Sequence, residues 1–235
     1  MARGTQLSEL VYQLRAEVGH SVLVSAGVSE LPGLQQKLKR AQIMLYDDYD
    51  WPFLRIKRKI DMAAGQRYYD LPSDMDMERI EDVWMELSGI VYKVKRGVDK
   101  EQYAQYNSEA DERTEPLLRW DIDRQATDNE QIEAWPIPSG NDQDLWFKGI
   151  KQLRLLVQDD DVADLDDIAI VLTAAAEILA RAKQADASDV RNAAAARLKQ
   201  LKARTKGSSR VFTMGTSKTV NADERSGSRI VISQS

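Results

Sequence analysis

Leu7, Leu10, Val11, Leu14 and Val18 recur at helical spacing and Gly19 follows them, which predicts a first helix over residues 6–18 with one apolar stripe. Leu31, Leu34, Leu38, Ala41 and Leu45 form a second stripe. That helix is expected to start near Ser29, whose hydroxyl can cap free backbone N–H groups, with Pro32 in its first turn. Trp51-Pro52 ends it, because proline lacks the helix donor and pushes the residue before it toward extended geometry.

From Phe53 the period changes to two. Leu54, Ile56, Ile60 and Met62 alternate with polar residues, apart from Arg58 on the apolar side, and predict a strand. Ala64-Gly65-Gln66 reads as a turn, Tyr68 and Leu71 precede Pro72, and short strands follow at 79–86 and 89–95. Residues 99–108 suit a short helix carrying Tyr103 and Tyr106. Leu118, Trp120 and Ile122 alternate, as do Ile132, Ala134 and Pro136, around a polar hairpin tip at 124–130. Trp135-Pro136-Ile137-Pro138 lacks two ladder donors and belongs at a sheet edge or strand end. One more strand over 145–156 completes a β-rich middle of about five to seven short strands.

The helical period then returns, with Leu165, Ile168, Leu172, Ala175, Ala176, Leu179 and Ala182 on one side, and a last helix is expected over 189–205. Residues after Gly207 are rich in Ser, Gly and Thr and cannot build a core of their own, so they are expected to order only on a partner. The pattern predicts an α+β protein in four parts: N-terminal helices over 1–52, a β-rich region over 53–157, C-terminal helices over 158–206 and an extended tail over 207–235.

Composition narrows the function classes. The 235 residues include no cysteine, which removes disulfides, thiolate metal sites and cysteine nucleophiles and agrees with a reducing compartment. The N-terminus lacks the apolar core and cleavage site of a signal peptide, and no apolar run approaches the roughly 18–20 residues that span a bilayer, so a soluble protein without a membrane partner is expected. Net charge is −5, unevenly spread. From Arg197 onward nine Lys/Arg face only Asp223 and Glu224, so this end carries +7 and the rest −12. Such segregation marks an interaction arm for an acidic surface or nucleic acid.

Candidate chemistry is sparse. Asp159, Asp160, Asp161, Asp164, Asp166 and Asp167 place six carboxylates within nine residues. A calcium loop of the EF-hand type needs a central glycine and a distal glutamate, and no glycine occurs here, so acidic capping at a helix start explains the cluster better. His20, the single histidine, cannot build a multi-histidine metal site and suits the C-terminal dipole of the first helix. No glycine-rich phosphate loop is present, no cofactor is implied, and carboxylate pairs drawn from 38 acidic residues carry no specificity for glycoside hydrolysis. The chain reads as a non-enzyme. Trp51, Trp84, Trp120, Trp135 and Trp146 lie in or beside predicted strands. Their acidic neighbours Asp50, Glu86, Asp121, Asp123, Glu133 and Asp144 would repel phosphate, so packing is their expected role rather than base stacking. In the tail, Arg210-Val211-Phe212 and Arg229-Ile230-Val231-Ile232 combine cations with apolar anchors and suit strand addition to another chain's sheet.

The order of parts resembles a known family. Two N-terminal helices, Asp48-Tyr49-Asp50-Trp51-Pro52-Phe53-Leu54, a strand ending in Tyr69-Asp70-Leu71-Pro72, a β-rich middle closing on Ile132-Glu133-Ala134-Trp135-Pro136-Ile137-Pro138, and a late Ala-rich helix resemble podovirus-type head-to-tail adaptor (connector or neck) proteins of tailed bacteriophages, over roughly residues 5–205. The resemblance implies a helical bundle with an inserted β-rich region, assembled as a ring of twelve copies under the portal protein in the virion neck. It implies assembly in the host cytoplasm, attachment of tail or nozzle proteins below, and genomic DNA passing through the lumen without sequence-specific binding. It points to the tail as the portal-contacting arm, with Lys206, Arg210, Val211, Phe212, Lys218, Arg225, Arg229, Ile230, Val231 and Ile232 as contact residues, and to the six-aspartate cluster as a candidate lumen surface. The alternatives are another neck or tail component, such as a stopper or terminator, and a nucleic-acid-binding protein using the basic C-terminus.

Overall fold

The structure, a computed structural model, describes residues 3–19, 30–106, 112–124 and 130–205. Helix α1 (Leu7–Val18) stops where Gly19 adopts a left-handed conformation, φ 76°, and its N–H reaches back to the carbonyls of Ala16 and Arg15. Helix α2 (Leu31–Asp48) follows with Pro32 in its first turn and Glu30 at the cap position. Ser29, the expected cap, and His20 lie outside the described residues. Helices α4 (Asp167–Arg181) and α5 (Ala187–Thr205) close the described chain. All four share one core, in which Leu7, Leu10, Leu14, Leu38, Ile170 and Ala174 are fully enclosed. Helix α4 packs against α1, α2 and α5, so its buried side is broad and runs through Ala169, Ile170, Val171, Ala174 and Ala175. Of the predicted stripe Leu165, Ala175 and Leu179 are buried, but Ile168 is 46% exposed, because a helix enclosed on several sides has no single apolar stripe to read.

A 3-10 turn, Pro52–Leu54, stands between α2 and the first strand, with the Leu54 N–H donating to the Trp51 carbonyl. The strand predicted from Phe53 therefore starts two residues later. Eight strands occur among the described residues: β1 (Arg55–Asp61), β2 (Tyr68–Asp70), β3 (Met75–Leu87), β4 (Ile90–Lys93), β5 (Lys95–Arg96), β6 (Arg119–Asp123), β7 (Gln131–Trp135) and β8 (Gln143–Lys151). The expected five to seven fell short because β2 and β5, at three and two residues, are too brief to show a period. They form two four-stranded sheets, ordered β1-β8-β3-β4 and β2-β7-β6-β5, antiparallel except for the β5–β6 pair. Val83, Met85, Leu145 and Phe147 from the first sheet meet Trp120, Ile132 and Ala134 from the second in a separate core. Leu117 is buried there while Leu118 is 43% exposed, one residue out of the expected alternation. Helix α3 (Lys100–Gln105) carries a capping box between Asp99 and Gln102. It is held down by Tyr103, whose hydroxyl reaches the buried Glu133, itself paired with Arg67.

Trp51 and Ile150 mark the place where the bundle meets the sheets. Trp51 is buried in the helical core, and its indole N–H donates to the Leu45 carbonyl at 2.9 Å. Ile150, near the end of β8, packs into the same core. Beyond β8 the aspartate-rich segment ties the elements together. Asp164 accepts from the Arg154 guanidinium at 2.6 and 2.9 Å and from the Arg154 backbone N–H at 2.9 Å, with Lys151 at 3.4 Å. Asp166 caps α4 by accepting from the Ala169 N–H and is paired with Arg197 of α5 at 2.8 Å. Asp167 accepts from the Thr5 hydroxyl at 2.6 Å and keeps its other oxygen buried without a hydrogen bond.

Burial alone would push the Asp164 carboxyl up, but its bonds to Arg154 and the charges of Arg154 and Lys151 outweigh it and hold the group below its ordinary value. At Asp167 burial dominates, Asp166 adds repulsion, and the carboxyl is raised.

Replacing Trp51 by phenylalanine should cost ~1–3 kcal/mol, since it strands a buried carbonyl, and replacing it by alanine ~3–5 kcal/mol, both read from urea unfolding. The two aspartates should give opposite pH slopes. Asp164, with a depressed folded value, supplies stability that is complete above its unfolded value and lost as pH falls through the folded one. Asp167, with a raised folded value, imposes a cost that is absent below its unfolded value and complete once pH has risen through the folded one. Unfolding curves from acid to neutral pH should therefore show Asp164→Asn losing, and Asp167→Asn gaining, stability relative to the unaltered chain as pH rises.

Candidate functional site

The place where the tail leaves the body is fixed by α5. Leu201 is buried in the helical core, and Lys202 bridges to Asp48 at 2.6 Å while lying over the Tyr49 ring. The chain therefore exits beside the C-terminal end of α2. Lys206, Arg210, Val211, Phe212, Lys218, Arg225, Arg229, Ile230, Val231 and Ile232 lie outside the described residues.

A cleft of about 880 Å³ opens beside that exit, between the end of α2, the turn from β2 into β3, and the segment after β8. Leu71, Pro72, Met77, Leu153 and the half-exposed Leu155 give it an apolar floor. Asp47, Asp70, Asp76, Glu78 and Glu130 form its rim, and no lysine or arginine lines it among the described residues. Arg79 stands behind the lining: it donates to the carbonyls of Tyr46 and Asp47, satisfying the free end of α2, and its guanidinium lies 4.3 Å from the Tyr46 ring centre. The Tyr46 hydroxyl donates to Asp76 at 2.7 Å. Burial, then the hydrogen bond and charge of Asp76, raise its pKa well above the ordinary phenol value. Outside the floor, Arg124 stands 4.0 Å from Glu78 and 3.7 Å from Glu130, and Gln131 donates to Asp70. Sequence reasoning did not find this cleft, because its carboxylates come from four separate stretches. The one available signal was Tyr69-Asp70-Leu71-Pro72, three residues of which line it.

The aspartate cluster divides in two. Asp164, Asp166 and Asp167 are buried in the joint between helices and sheet. Asp161 accepts from the N–H groups of Val157 and Gln158, which lower its pKa by closing a turn. Asp159, which accepts from Gln35, and Asp160 are exposed. No three His, Cys, Asp or Glu side chains converge as a metal-ligand set among the described residues. Trp51, Trp120 and Trp135 are buried, whereas Trp84 and Trp146 stack at 6.1 Å on the outer face of the first sheet. Of the lysines on that face, Lys148 is matched with Glu81 and Lys59 with Asp61 and Asp144, while the Lys57 ammonium lies 5.8 Å from the Trp84 ring centre. No helix among the described residues is long and apolar enough to cross a membrane.

No curated protein matches the chain. The family model described as SU10 adaptor protein matches residues 5–221, a span that takes in both helical ends, both sheets, the cleft and the first part of the tail. The chain belongs to the SU10 adaptor protein family.

Proposed function

We propose that this phage adaptor is the head-to-tail connector of the virion neck, a structural ring, of twelve copies by resemblance, that docks on the portal protein and carries the tail or nozzle proteins. Membership of the adaptor family is the observation that carries the reading, and it favours a structural over a catalytic role. The segregated charge supports it. Five lysines and arginines, Lys206, Arg210, Lys218, Arg225 and Arg229, stand on the tail against two acids, beyond a body that is strongly acidic. A polar segment that cannot form its own core and gains order on a partner suits stepwise assembly, because the free subunit stays soluble until the portal offers its surface. Residues 222–235, with the Arg229-Ile230-Val231-Ile232 anchor, lie beyond the family match and form the part of the arm free to fit one particular portal. Genomic DNA would pass the lumen unbound, held off by carboxylates, of which Asp159 and Asp160 are the exposed members of the cluster.

Native mass spectrometry of the chain mixed with portal tests this. The full chain should form a portal-bound ring, and removal of residues 207–235 should abolish it; a chain that stays monomeric and indifferent to portal would sink the adaptor reading. Particles carrying Asp159→Lys and Asp160→Lys should eject DNA more slowly, and unchanged ejection kinetics would remove these residues from the lumen.

A further inference from the structure

We infer that the cleft beside α2 is a docking site for the chain's own arm, and that its occupant is the proximal basic segment around Arg210-Val211-Phe212. Three observations carry this. The first is position: α5 delivers the chain to Asp48, and the neighbouring Asp47 already lines the cleft. From Thr205, the five residues to Arg210 can span at most about 17 Å when extended, so the motif reaches nearby surface and little else. The second is charge. Residues 206–222 carry Lys206, Arg210 and Lys218 and no acid, facing a rim of five carboxylates that two arginines outside the lining, Arg124 near Glu78 and Glu130 and Arg79 near Asp47, offset only in part. The third is apolar fit. Val211, Phe212 and Met214 sit between those cations, and the floor exposes Leu155 at 52% with Leu71, Pro72 and Leu153 beside it.

Tethering favours this occupant over any free one. A short connection gives a local concentration on the order of millimolar, which lets a weak, mostly electrostatic contact form within one chain before a second copy competes. The family match ends at residue 221, so the proximal segment belongs to the family's unit while the distal anchor does not. The arm thus has two stations: its first half rests on the body, and its second half is left to a partner. The inference needs no portal and does not rest on the adaptor reading.

The absence of native cysteine makes the test direct. Ser73 is exposed on the cleft, so Ser73→Cys with Thr213→Cys places one thiol on each side of the contact. A control pairs Thr213→Cys with Lys93→Cys on the exposed β4 edge. In the full chain without portal, the cleft pair should oxidise to a faster-migrating monomer about tenfold sooner than the control pair. Asp70→Lys, Glu78→Lys and Glu130→Lys, all at exposed positions, should remove that advantage, with circular dichroism checking the fold. Raising salt with the rim intact should slow the cleft pair as well, which covers the case of variants that fail to fold. Equal rates for the two pairs, or a rate insensitive to both salt and charge reversal, would overturn the inference. A disulfide-linked dimer as the main product would overturn it too, by giving the cleft to a second copy's arm.

Discussion

Everything in this fold hangs on the return of the chain from the sheets to the helices. Helices α1 and α2 are separated in sequence from α4 and α5 by about a hundred residues of β structure, yet the four must close one core. The segment 159–167 makes the closure. Its backbone does half of it: the Asp161 and Asp159 carbonyls accept from the N–H groups of Leu7 and Ser8, the first free donors of α1, which has no side-chain cap. Ala163 exchanges backbone bonds with Gly4 and Thr5 across the same seam. Its side chains do the rest, with Asp164 fixed to β8 and the segment that follows it, Asp166 starting α4 while holding α5, and Asp167 reaching Thr5. Gln42 adds α2 by donating to the Arg154 carbonyl. A run of apolar residues would bury as much area, but it would not fix which helix end meets which strand end; directional bonds to paired charges do.

That same segment shows what a sequence can disclose. Six aspartates before an apolar period announce a helix start, and Asp166 does cap α4. The other partners, Arg154, Arg197 and Thr5, stand at separations that no local pattern records. The helices were legible because their stripes are long; α4 was legible as a helix but only partly in its facing, because a helix packed on several sides buries alanines and even Asp167. The sheets were legible as strands but not as two layers, since pairing β1 with β8 and β2 with β7 joins residues 61 to 95 positions apart. The cleft was the least legible feature, because it exists only where α2, β3 and the segment after β8 meet.

The charge asymmetry also takes a different form once partners are known. Of the nine basic residues from Arg197 onward, Arg197 and Lys202 are spent inside the bundle on Asp166 and Asp48. What seemed one basic tail is therefore a helical stretch, two of whose four cations secure it to the body, followed by an arm with five cations and two acids. The two acids, Asp223 and Glu224, divide that arm into a proximal half of uniform sign and a distal half where charge is mixed and β-branched residues cluster.

This division matters for how an adaptor subunit could remain discrete before it assembles. A basic arm attached to an acidic body is attracted to every other copy of that body, and with no competing contact the outcome at high concentration is arm exchange between chains. An acidic and apolar surface beside the root of the arm is on its own body, so an intramolecular contact there would be reached first and without loss of translational freedom. Such a contact should be weak. Its carboxylates are solvent-facing and screened, and Arg124 already engages two of them. Weakness is what the task requires, because a partner surface that binds the distal anchor must be able to draw the proximal half away for less free energy than it gains.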